Sequence, residues 1–119
     1  MTKYQRASQC WAVIALAARN RQILTYEIVA QLIGVPRAAV GGFLGPVQTY
    51  CLQQHLPPLT ILVVSESSGL PGEGFIAAQD IPKAQAGVFA HDWNDVAASS
   101  PEALENAFQT HGHGSIGII

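Results

Sequence analysis

Apolar positions in the first half of the chain recur at helical spacing. Trp11, Ile14, Ala15 and Ala18 follow the i, i+3, i+4, i+7 pattern of one buried face, and alanines raise the propensity, so residues 3–20 are predicted to be a first helix. Ile23 and Leu24 make a short apolar link. Thr25 then suits the N-cap of a second helix, with Glu27 in its first turn opposing the macrodipole. Ile28, Val29, Leu32 and Ile33 form its apolar stripe, and Gly34 is placed to stop it.

Pro36 suits the first turn of a third helix, where a missing N–H costs nothing. Val40, Phe43, Leu44, Val47 and Cys51 continue the 3.6-residue pattern toward His55, but Gly41, Gly42, Gly45 and Pro46 interrupt it. An internal Gly costs roughly 1 kcal/mol and an internal Pro ~3. The expectation is therefore a helix ending near Gly45 and another beginning at Pro46. Two helices joined by a tight turn at residues 34–36 are a helix-turn-helix pattern.

Leu56, Pro57 and Pro58 close the helical part, 1–56. Residues 59–64, Leu-Thr-Ile-Leu-Val-Val, are apolar and β-branched and predict a buried strand. Residues 67–74 are turn chemistry, and Phe75-Ile76-Ala77-Ala78 suit a returning strand, which gives a β-hairpin wing over 59–78. Residues 81–93 carry mixed periodicity that fits a loop, a strand or a short helix. Ser100-Pro101-Glu102 is a strong helix start, and Leu104, Ala107 and Phe108 supply one stripe, so a helix is predicted over 101–110 before a glycine-rich tail. The sum is an α+β fold: a mainly helical N-terminal half of winged helix-turn-helix layout, a hairpin and a short C-terminal helix.

Composition adds bounds to this picture. At 119 residues the chain is expected to be a single domain, 1–119, burying about two-thirds of its unfolded surface. Hydrophobic residues at 49% and charged residues at 12% exclude intrinsic disorder. The net charge is only −2, but it is unevenly spread. Residues 1–56 balance to +4, and residues 57–119, which include an acidic extension over 79–119, balance to −6. Such asymmetry points to a nucleic-acid face on the first half. Cys10 and Cys51 lie in apolar helical contexts outside any Cys-x-x-Cys pair, which reads as two buried free thiols in a reducing, cytoplasmic setting. No apolar run reaches the ~18 residues of a membrane span. Residues 11–18 are followed by Arg19, Asn20, Arg21 and Gln22 where a signal peptide would carry small residues, so a helix is expected there instead.

Two segments carry a resemblance. Leu24-Thr25-Tyr26-Glu27-Ile28-Val29-Ala30-Gln31-Leu32-Ile33-Gly34, followed by Pro36-Arg37-Ala38-Ala39-Val40-Gly41-Gly42, resembles the DNA-binding region of the alkylguanine-DNA alkyltransferases and alkyltransferase-like proteins. The likeness extends over residues 8–75, including Ser68-Gly69-Leu70 with Gly72, Gly74 and Phe75. It implies a winged-helix DNA-binding module. It does not imply alkyl transfer: the family's Pro-Cys-His-Arg segment, or Pro-Trp-His-Arg in the non-catalytic relatives, is replaced here by Ile61-Leu62-Val63-Val64-Ser65-Glu66. The position matching the family's arginine finger is Ala38, and Arg37, one residue earlier, points about 100° away on a helix. Base flipping is therefore not carried over; Arg37 is left either to contact phosphate or to cap the solvent side of its helix.

The expected DNA-binding residues are Arg37, with Gly41 and Gly42 allowing close backbone approach, and Arg19, Arg21 and Lys3 as phosphate contacts. The alternative is a protein-interaction module (an inhibitor, immunity or adaptor protein) whose acidic half, through Trp93, Asp92, Asp95 and Glu73, faces a basic partner. His111-Gly112-His113 supplies too few ligands for a metal, and Pro71-Gly72-Glu73-Gly74 lacks the Gly-Lys-Ser/Thr ending of a phosphate loop. No catalytic motif, cofactor, metal site, membrane segment or small-molecule substrate is predicted.

Overall fold

A computed structural model describes residues 1–71, 80–93 and 100–111. They form five helices and a two-stranded parallel sheet, an α+β arrangement dominated by helix. Helix α1, Lys3–Arg19, starts at a capping box: Thr2 accepts from the Gln5 amide, and the Gln5 side chain accepts from the Thr2 amide. Its buried residues are Ala7, Cys10, Trp11, Ile14, Ala17 and Ala18, one face at the expected spacing.

Strand β1, Leu24–Thr25, leads directly into α2, Tyr26–Ile33. Thr25 caps α2 by accepting from the Ile28 amide at 3.1 Å, and Gly34 closes it in the left-handed region at φ 75°. Helix α3 runs from Arg37 to Gln53 without a break. The expected end near Gly45 and restart at Pro46 are corrected here, and the reason is tertiary. Residues 44–49 are all buried, with α1, α2 and α5 packed around them, so packing holds a helix that local propensity opposes. Pro46 withholds an N–H from the Gly42 carbonyl four residues back, and Gly42 is exposed, so water can meet that carbonyl.

The predicted strand at 59–64 is also corrected. Leu59–Leu62 is a 3-10 helix, and only Val63–Val64 is strand, β2. Every residue of the segment is buried, and a short buried apolar run has no period by which strand and helix can be told apart. Strand β2 pairs in parallel with β1, Leu24 against Val63 and Thr25 against Val64. Beyond it the chain reverses: Ser65 donates its amide to the Leu70 carbonyl at 2.8 Å, Gly69 turns at φ 69°, and Pro71 bridges Val64 antiparallel. The expected return strand at 75–78 lies outside the described residues.

Residues 81–93 resolve into helix α4, Ile81–Ala90, and a turn. Asp80 caps α4 by accepting from the Lys83 amide at 3.1 Å. Helix α5, Pro101–His111, starts where predicted, with the Ser100 hydroxyl accepting from the Ala103 amide at 3.1 Å. One cluster of buried side chains runs from Ala7 on α1 to Leu104 on α5. At its centre the Trp11 ring meets Tyr50 and Trp93 edge-on, at 5.4 and 5.9 Å between centroids. Among the described residues no single helix is long and apolar enough to cross a membrane.

Candidate functional site

Helices α2 and α3 meet at 90°. The turn between them is made by Gly34, whose amide donates to the Ala30 carbonyl at 2.9 Å, as does that of Val35 at 3.0 Å. A residue far away in sequence braces it: the Arg6 guanidinium of α1 donates to the Ile33 carbonyl at the end of α2 and, at 3.1 Å, to Gln9 Oε1. Sequence reasoning placed Arg6 only among the charges, because nothing near it in sequence shows that α1 crosses the end of α2.

Beyond the bend Arg37, Ala38 and Gly42 are exposed, while Val40 and Leu44 turn into the core. Pro36 offers no side-chain cap to the amides of that helix start, and Arg37 is the first residue inside. Its Nε lies 2.7 Å from Glu27 Oε2, with the guanidinium 5.1 Å from the centre of the Tyr26 ring. Both partners of this pair remain about half exposed, at 51% and 42% of their side-chain surface. The hydrogen bond from Arg37 holds the Glu27 carboxyl below its usual range. Because the folded pKa is lowered, the pair contributes at neutral pH and fades as pH falls through the ordinary Glu range toward that lower value. An exposed pair of this kind contributes little to stability. A Cβ added to Gly41 or Gly42 would meet nothing within 4 Å, so packing inside the chain does not require either glycine.

The other predicted cations sit elsewhere. The Lys3 ammonium lies 4.3 Å from the centre of the Phe108 ring and helps fasten α5 to the start of α1. Arg19 and Arg21 are at the opposite end of α1, ~24 Å away along the axis at 1.5 Å per residue. They line a cavity of about 350 Å³, with Leu16 and Asn20 on their side and Phe89, His91, Asp92 and Trp93 opposite. Arg21 is held in the left-handed region at φ 55°. Its amide bonds to Ala18 and that of Gln22 to Ala17, a Schellman closure with arginine where glycine is usual. The conformation costs an L-residue roughly 1 kcal/mol or more.

Trp93, expected as a surface anchor, is a core side chain, 4% exposed. Its indole N–H donates to the Val88 carbonyl at 2.8 Å, and its ring meets His91 at 4.5 Å. Burial of this kind leaves too little of the ring to anchor a protein partner. Asp92 is exposed at the rim of the cavity, while Asp95 and Glu73 lie outside the described residues. The His111-Gly112-His113 tract also extends outside them. Among the described residues no group of three or more His, Cys, Asp or Glu is placed to hold a metal.

Both thiols are buried and free. Burial pushes Cys10 up to about 12, only partly offset by Arg6, and Cys51 up to about 12, partly offset by a backbone hydrogen bond from Leu59. Neither is a thiolate near neutral pH, which is the form a nucleophile needs. Compared with known protein families, curated proteins and solved structures, the chain matches none.

Proposed function

We propose that this chain is a non-catalytic DNA-binding module of winged-helix type, in keeping with its resemblance to the alkyltransferase-like proteins. The observation that carries the reading is the right-angled α2–α3 pair, with the uncapped, Arg37-bearing start of α3 on its outer side. Helices at ~90–120° joined by a short glycine-containing turn are the geometry of helix-turn-helix readers. In this reading the amides of Arg37 and Ala38 and the Arg37 guanidinium take backbone phosphate, Arg37 exchanging Glu27 for it. The bare backbone at Gly41 and Gly42 lets the helix approach closely. Strand β1 ahead of α2 and the reversal leading to Pro71 fit the base of a wing. Lys3 is kept as an outlying phosphate contact, and Arg19 and Arg21 belong to the cavity at the far end of α1.

One observation favours the protein-partner alternative. Ile28 and Leu32, one turn apart on α2, are 41% and 61% exposed, an apolar pair on a helix face next to the turn.

Fluorescence anisotropy with single- and double-stranded oligonucleotides at about 50 and 200 mM salt separates the two. Binding at the lower salt that weakens steeply at the higher is expected. Arg37→Ala should lower affinity and reduce the salt slope by about one. Absence of binding at 50 mM, or an unchanged slope in the variant, would overturn the DNA reading.

A further inference from the structure

We propose that the cavity at the C-terminal end of α1 binds a small phosphate ester of about mononucleotide size. Its volume of about 350 Å³ falls within the ~300–1,000 Å³ of small-molecule sites. Its two cations reach it through an unusual backbone. Residues two apart on a continuous helix face different ways, yet Arg19 and Arg21 both line this one cavity because the left-handed turn at Arg21 redirects the chain. Glycine makes that turn without strain, as Gly34 does at the end of α2. Arginine puts a guanidinium there, and strain kept in place around a cleft is a mark of function.

A guanidinium matches the oxygens of a phosphate in both geometry and charge, and two arginines line this cavity. The opposite wall is preorganised: the hydrogen bond from Trp93 to Val88 fixes the indole, and the His91 ring rests on it. Among the described residues the buried His91 Nε2 in that wall finds no hydrogen-bond partner. Asp92 stands exposed at the rim, where its charge opposes any phosphate, so what separates an ester from the bare anion is contact with the remainder of the ligand. Leu16 and Phe89 offer apolar surface to the rest of such a ligand.

The test is calorimetric titration of the full chain at low salt with adenosine monophosphate, inorganic phosphate and adenosine. Saturable binding of the monophosphate is expected, with inorganic phosphate and adenosine each at least tenfold weaker. Arg19→Ala and Arg21→Gly should each weaken the monophosphate tenfold or more, about 1.4 kcal/mol. Arg21→Gly should at the same time raise Tm, so its loss of binding is not a loss of fold. Lys83→Ala, which removes an equal charge from the exposed side of α4, should leave affinity unchanged. No saturable binding, or unchanged affinity in either arginine variant, would sink the proposal. So would displacement of the monophosphate by a duplex oligonucleotide, which would make the two arginines contacts to nucleic-acid backbone.

Discussion

Helices α1 and α2 end in the same backbone conformation with opposite kinds of residue. At the end of α2 the left-handed position is Gly34, with nothing within 4 Å of where a Cβ would stand, and the turn serves direction alone: it sets α3 at a right angle. At the end of α1 the same position is Arg21, whose side chain lines a cavity with Arg19, His91 and Trp93. Helix α3 also ends on a residue other than glycine in this region, His55 at φ 57°, which is exposed. A helix stop can thus be a pure bend or a bend that also delivers a side chain. Stability is highest in the first case, and chemistry is available only in the second.

Substitution can break or sharpen this contrast, and the largest effect belongs to the wall opposite Arg21. Trp93→Ala removes a buried indole, its hydrogen bond to Val88 and its contact with Trp11, and should lower stability by about 3–5 kcal/mol in urea denaturation. A loss under ~1 kcal/mol would return Trp93 to the surface role first expected of it. The two turns themselves should respond with opposite signs. Gly34→Ala forces a Cβ into the left-handed region and should destabilise by about 1–2 kcal/mol, whereas Arg21→Gly should stabilise by about 1. Two changes of the same sign would remove the distinction. The smallest effect is expected at the thiols. Cys10 and Cys51 should resist a thiol reagent at neutral pH in the native state and react together on unfolding, followed by mass spectrometry. Fast labelling of one alone would reopen thiol chemistry.

The features legible in the sequence were those whose causes lie within a few residues. Thr25, Gly34 and Ser100 announce helix ends because the capping side chain or the left-handed glycine sits in the element it ends. Continuity of α3 was not legible, because what overrides Pro46 is supplied by α1, α2 and α5. Strand β1 was not legible either: two residues carry no period, and their partner, β2, is far along the chain. At the candidate site, Arg37 could be placed at the start of α3, but its pairing with Glu27 needs the right-angled bend. The cavity needs more still, since it joins the end of α1 to the end of α4, and neither segment alone shows a ligand-binding pattern. The burial of Trp93 belongs to the same class, a tertiary fact hidden behind flanking acidic residues.

Pro46 has a further consequence for motion. Its missing amide interrupts the ladder of α3 near mid-length, where the surroundings also change: the residues before position 44 alternate between exposed and half-buried around a buried Val40, and those of 44–49 are enclosed. A helix notched at that point has two segments with separate opening free energies, an outer one that frays toward water and an inner one that opens only with the whole core. The outer segment carries Arg37, Gly41 and Gly42. Backbone opening in α3 is therefore expected to begin in this segment, with the core half of the same helix the last to open.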